Sequence, residues 1–178
     1  MFRAPLTKLT TVLFAFASVS VAQQAAPSSS AIASGSAQPS SATTCSLDDG
    51  KEVSVRYNAI PAGKEKIANG KPFTPGGAPM TLFTETRLGF GNSVIPIGAY
   101  TLYPIPGRDH WTLAVNKNVT AGSAYDEKQD LARATMETAQ VSEPGNILDL
   151  AFAHVGSRCT LRIYFGKTAS FADFTEKQ

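Results

Sequence analysis

The chain is poor in the residues that carry most protein chemistry. Its 178 residues include two histidines, two cysteines and one tryptophan, and only 17% are charged. His110 and His154 stand in no HExxH, HxH or Cys-pair spacing, so a zinc site would need ligands gathered from distant loops. No GxSxG elbow, phosphate-binding loop or dinucleotide fingerprint occurs, and the Gly76-Gly77 and Gly89-x-Gly91 pairs read as turn glycines. Helical periodicity is scarce and no internal repeat is visible. Neither a catalytic set nor a cofactor is expected from these residues, and the length suits one domain with a real core.

The one long apolar run, Leu9 to Val21, follows Arg3 and Lys8 and ends in Ser20-Val21-Ala22, small residues of the kind a signal peptidase reads. It is shorter than the roughly 20 apolar residues that span hydrocarbon and holds several Ser and Thr, which argues against a transmembrane anchor. Residues 1–22 are therefore expected to be a signal peptide, and the mature protein to be periplasmic or secreted with no transmembrane segment. Cleavage removes two basic residues and no acid, so 16 Lys and Arg against 14 Asp and Glu become 14 of each, a formal charge of 0. With its nearest basic cluster, Lys64, Lys66 and Lys71, broken by Glu65, Asn69 and Gly70, the chain is not expected to bind nucleic acid.

Residues 23–44 are Gln, Ala, Ser, Pro and Thr with a single Gly and with Ile32 as the one large apolar side chain. Such a segment cannot bury enough surface to offset its ordering entropy and reads as a disordered linker, open also to the reading of a glycosylated stalk. The folded domain is expected over 45–178. Strand signals run over Glu52 to Asn58, Thr81 to Phe90, Ser93 to Ile97, Leu131 to Met136, Ile147 to His154 and Cys159 to Gly166, with a hairpin between the third and fourth. About eight short strands split by Gly, Pro, Asn and Asp clusters predict an all-β fold, a single antiparallel β-sandwich or a partly open barrel. Tyr125 to Gln140 is ambiguous with helix, but Leu131, Arg133 and Thr135 alternate with Ala132, Ala134 and Met136. A turn followed by a strand, with Leu131 inward, is the preferred reading.

In the hairpin, Ala99, Thr101, Tyr103 and Ile105 face one way and Tyr100, Leu102 and Pro104 the other. Pro104, Pro106 and Gly107-Arg108-Asp109 then reverse the chain into Trp111 to Asn116. Trp111, Leu113 and Val115 share a face, which suits a sheet with one side on a core. A sugar-stacking platform of Trp111, Tyr100 and Tyr103 is the alternative to core packing.

The run Pro-x-Gly-x-Tyr-x-Leu-Tyr-x-Ile-Pro-Gly, then a Trp-initiated strand ending in Asn-Lys, then Tyr-Asp-x-x-Gln-Asp-Leu-Ala-Arg, resembles the bacterial family catalogued as domain of unknown function 2911. The likeness covers roughly Cys45 to Thr168 and is sharpest from Pro96 to Arg133. It implies an exported bacterial protein and brings no established activity. The chain departs from the family's pattern in two places. Where the family typically shows Trp-Arg-x-Gly-Ala-Asn-Glu, it reads Thr74-Pro75-Gly76-Gly77-Ala78-Pro79-Met80; where a Trp-Gly pair precedes the Tyr-Asp turn, it reads Ala121-Gly122.

Cys159 is in phase with Leu161, Ile163 and Phe165 and points to the core, while Cys45 stands at the domain's edge. An even count in an oxidising compartment favours a disulfide between Cys45 and Cys159 over two free thiols. The remaining weak candidates for binding are Asp109 and His110 at the hairpin turn, and Tyr125, Asp126, Asp130 and Arg133. Asp126, Glu127 and Asp130 match no established calcium loop and enclose Lys128, so no metal is expected. A surface turn in which Asp130 pairs with Arg133 explains the same residues. The leading reading is a non-catalytic binding or structural module with an unknown partner in the cell envelope, a carbohydrate, lipid or protein. A hydrolase or metal-dependent enzyme using His110, Asp109 and the Tyr125–Asp130 turn is the alternative.

Overall fold

The computed structural model describes residues 40–63 and 67–178. The expected signal peptide and residues 23–39 of the expected linker lie outside them. Among the described residues there are nine strands: β1 (Ser40–Ser46), β2 (Glu52–Asn58), β3 (Met80–Thr84), β4 (Arg87–Phe90), β5 (Ser93–Ile95), β6 (Gly98–Ile105), β7 (Trp111–Asn116), β8 (Asp130–Val155) and β9 (Arg158–Lys177). They form one antiparallel sheet in the order β1-β2-β3-β6-β7-β8-β9-β4-β5 that does not close into a barrel. The helical pieces among the described residues are two 3-10 turns, Pro75–Gly77 and Glu127–Gln129, and no helix there is long and apolar enough to cross a membrane.

The alternation in Glu52–Asn58 and Trp111–Asn116 places β2 and β7 at the bounds it predicts. Elsewhere the chain is cut differently. The apolar signal from Thr81 to Phe90 is broken at Thr86, whose amide donates to Thr84 Oγ1 while that hydroxyl donates to the Thr86 carbonyl. The break sends β3 and β4 to different parts of the sheet. Two signals, Leu131 to Met136 and Ile147 to His154, belong to a single strand of 26 residues, and the last signal runs on to Lys177. β1 also takes in Ser40 to Thr44, which composition assigned to the linker. These small polar residues gain their order from the ladder with β2, Ser40 opposite Asn58 through Ser46 opposite Glu52, since Cys45 alone among the seven is buried.

The long β8–β9 ribbon folds the sheet over on itself. Register shifts on either side of Gly145 bend β8, and Gly166, at φ +60°, bends β9 opposite it. The far half of the ribbon thereby reaches back to β2: Leu148 N donates to Ile60 O, Ala62 N to Asn146 O, and Leu150 N to the Tyr57 hydroxyl. Val53, Leu82, Leu102 and Leu113 from one layer meet Leu88, Leu161, Ile163 and Phe174 from the other in one core. Each such side chain contributes about 1.5 to 3 kcal/mol on burial. Trp111, 8% exposed, belongs to this core with Leu113 and Val115.

The middle of the sheet is covered on its second side as well, beyond what the hairpin's alternation suggested. Thr101 and Tyr103 are as buried as Leu102. One loop lies along β6, with Phe73 N donating to Pro104 O and Gly70 N to Pro106 O. A second, between β7 and β8, lays the Tyr125 ring against Tyr103.

Candidate functional site

A β-bulge organises the outer face. Val115 pairs with Ala132 and Asn116 with Asp130, so two residues of β8 oppose one step of β7 and Leu131 is the extra residue. Ala132 and Met136 take the core positions, while Leu131 is half-buried at its margin and not inward as the alternation suggested. The extra residue turns Asp130 to the outer face beside Asn116.

Asn116 is 1% exposed and fully engaged. Its Nδ2 donates to Asp130 Oδ1 at 2.7 Å and to the Asp126 carbonyl at 2.9 Å, and its Oδ1 accepts from Asn118 N. The other carboxylate oxygen of Asp130 accepts from the Tyr125 hydroxyl at 2.6 Å and from Arg133 Nε at 2.8 Å. Arg133 completes the group, donating to the Tyr125 oxygen at 2.7 Å and to Glu127 Oε1 at 2.6 Å. Asp126 caps the short turn, with Oδ1 accepting from Lys128 N and Oδ2 from Gln129 Nε2.

The electrostatics follow from this geometry. The Asp130 side chain is 7% exposed, and its two carboxylate oxygens are engaged by three donors, Asn116 Nδ2, the Tyr125 hydroxyl and Arg133 Nε. Burial, then the adjoining Asp130 carboxylate, push the Tyr125 hydroxyl up to about 12 against the opposing pull of Arg133. Burial disfavours the Arg133 charge, but its bond to Tyr125 and the acids around it outweigh that and raise its pKa.

Tyr103 and Tyr125, with ring centroids 4.7 Å apart and planes tilted by 57°, floor a groove of about 390 Å³. Lys71, Thr74 and Pro79 form one wall and Gly122 to Ala124 the other. Both departures from the family's pattern, Thr74 to Met80 and Ala121-Gly122, converge on it. Small residues thus stand where the pattern has Trp and Arg.

Tyr125, Asp126, Asp130 and Arg133 are brought together; Asp109 and His110 are not. They are exposed on the β6–β7 turn, at the far end of β7 from Asn116, six residue steps or about 20 Å along the strand. His154 lies near the end of β8, opposite Cys159, with Nε2 3.8 Å from Asp48 Oδ1. Among the described residues no group of three or more His, Cys, Asp or Glu could hold a metal ion. Asn116 is not among the residues the sequence singles out; Tyr103 is, as part of a platform with Trp111 and Tyr100, but both of those are buried and Tyr103 lines the groove with Tyr125 instead. A polar residue closing an apolar strand was the available signal for Asn116, but its burial depends on the loop folded over it.

Cys45 and Cys159 form a disulfide that spans 114 residues, with Cα atoms 6.1 Å apart and both side chains buried.

Fold and site together define a disulfide-bonded, all-β antiparallel sandwich whose outer face carries an aromatic groove backed by a polar network centred on the buried Asn116. The chain belongs to the family described as protein of unknown function (DUF2911), which it matches over residues 39–172. That span runs from the residue before β1 into the second half of β9. No curated protein and no solved structure matches it.

Proposed function

We propose that this is an exported, non-catalytic binding module of the bacterial cell envelope, periplasmic or secreted, that holds its ligand in the groove over Tyr103 and Tyr125. The observation that carries the reading is the fixed Tyr125: three groups, Asp130, Arg133 and the Tyr103 ring, hold a tyrosine at the edge of an open groove, a rigidity suited to presenting a surface. A buried disulfide fits an oxidising compartment and the reading of residues 1–22 as a signal peptide. The distance of Asp109 and His110 from the turn favours binding over hydrolysis or metal-dependent catalysis at these residues.

The test has two arms. Expression in a bacterial host should yield periplasmic protein whose amino terminus is Gln23; uncleaved cytoplasmic protein would reject export. Titration of the labelled protein with separated envelope fractions, glycan, lipid and protein, should shift amides around Tyr103 and Tyr125, and Lys71→Ala and Tyr125→Ala should weaken that response. Shifts confined to other surfaces would reject the site.

A further inference from the structure

A second and larger groove lies on another part of the molecule. The period of two that buries Cys159, Leu161, Ile163 and Phe165 turns Arg158, Thr160, Arg162 and Tyr164 outward along β9. Past the bend at Gly166 the strand returns beside its own beginning. Glu176 N donates to Ser157 O at 2.8 Å, and the Asp173 carboxylate accepts from Thr160 Oγ1 and lies 3.4 Å from Arg158. The outward row and the returning Phe171 and Asp173 line a groove of about 730 Å³, with Glu137 of β8 on its rim and Phe90 at its base.

The groove's chemistry selects a ligand class. Two arginines face two acids, so the lining carries no net charge and offers no pull on phosphate or on a polyanion. Asp173 is occupied by Arg158 and Thr160, whereas the side chains of Arg162 and Glu137 make no ion pair or hydrogen bond among the described residues. A planar donor fork and a carboxylate acceptor thus stand open in one groove with the aromatic rings of Tyr164 and Phe171. That combination complements a ligand that donates and accepts hydrogen bonds at many points, carries no charge and shows an apolar C–H face. Neutral sugars have those properties. The row from Arg158 to Tyr164 extends six residue steps, about 20 Å, which suits a chain of rings better than one.

We propose that the β9 groove binds a neutral oligosaccharide, with Arg162 and Glu137 gripping ring hydroxyls and Tyr164 stacking on a ring face. The site is separate from the groove over Tyr103 and does not depend on it. The probes are chitohexaose, cellohexaose and maltohexaose, with an oligogalacturonate of equal length as the charged comparison, each titrated into ¹⁵N-labelled protein. At least one neutral hexasaccharide should shift the amides of Arg158 to Tyr164. Arg162→Ala, at an exposed position that leaves the core intact, should weaken that binding by about tenfold, as should Tyr164→Ala. Lys71→Ala in the other groove should leave it unchanged, so failure of one site is told apart from failure of the other. The proposal is overturned if no neutral hexasaccharide shifts these amides at millimolar concentration, if both β9 variants bind as the parent does, or if the charged oligomer binds more tightly.

Discussion

Asn116 and Asp130 face each other across the bulge at Leu131, joined by a hydrogen bond of 2.7 Å between Nδ2 and Oδ1. Through this one contact the end of β7, the turn at Asp126 and the start of β8 share a single polar group. Removing Asn116 leaves the Asp126 carbonyl and one oxygen of Asp130 short of a donor, so Asn116→Ala should destabilise by about 1 to 3 kcal/mol. A double-mutant cycle with Asp130→Ala in urea unfolding should show coupling of about 0.5 to 3 kcal/mol. Additive effects would mean that the two residues act independently.

The Tyr125 hydroxyl gives a spectroscopic prediction. It deprotonates near 10 in the unfolded chain and at about 12 in the folded one. Between those values the folded state holds the extra proton, so this group's contribution to stability is complete below 10 and is lost as pH rises towards 12. Phenolate absorbance should show late-titrating tyrosines, one of which Tyr125→Phe removes. Burial raises Tyr57 and Tyr100 as well, so assignment rests on the variant.

Asp126 uses both carboxylate oxygens on its own turn. Calcium, magnesium and chelator should therefore leave the melting temperature of the parent unchanged, while Asp126→Ala costs about 0.5 to 2 kcal/mol through the lost cap. A rise with calcium that Asp126→Asn and Asp130→Asn both abolish would establish a cation site by linkage.

Trp111 is a core residue, and Trp111→Ala should cost about 3 to 5 kcal/mol, the transfer energy of the ring plus the cavity left behind. Thermal or denaturant unfolding measures it. A stable variant deficient only in ligand binding would restore the platform reading.

Reduction of the disulfide between Cys45 and Cys159 should remove up to about 4 to 5 kcal/mol in the chain-entropy account for a loop of this size. Hydrogen exchange should rise first in β1, which buries little besides Cys45. Intact mass without reductant should fall short of the reduced mass by two hydrogens.

What the sequence made legible was local. Alternation in Glu52–Asn58 and Trp111–Asn116 is a property of the segment itself, and so is the pairing of Asp130 with Arg133, three residues apart. What it concealed was relational. Ser40 to Thr44 has no apolar face to announce a strand and is ordered by its partner. The bends at Gly145 and Gly166 join segments that look separate. One inserted residue, Leu131, moves Asp130 from an ordinary surface turn to a nearly buried partner of Asn116, and no periodicity reports a bulge. The groove over Tyr103 likewise depends on two loops brought together from positions about 50 residues apart in sequence, beyond the reach of any local pattern.

The link from Cys45 to Cys159 also sets how the protein would bear a mechanical load. A pull on the chain ahead of β1, against a hold on the end of β9, enters the covalent structure at Cys45 and leaves it at Cys159. Every residue between them lies inside a closed ring and is spared the extension. Only β1 ahead of Cys45 and β9 beyond Cys159 can be drawn out, so both tyrosines of the first groove remain in the shielded part. The outward row of the second begins at the ring's boundary and lies on the strand that would be peeled.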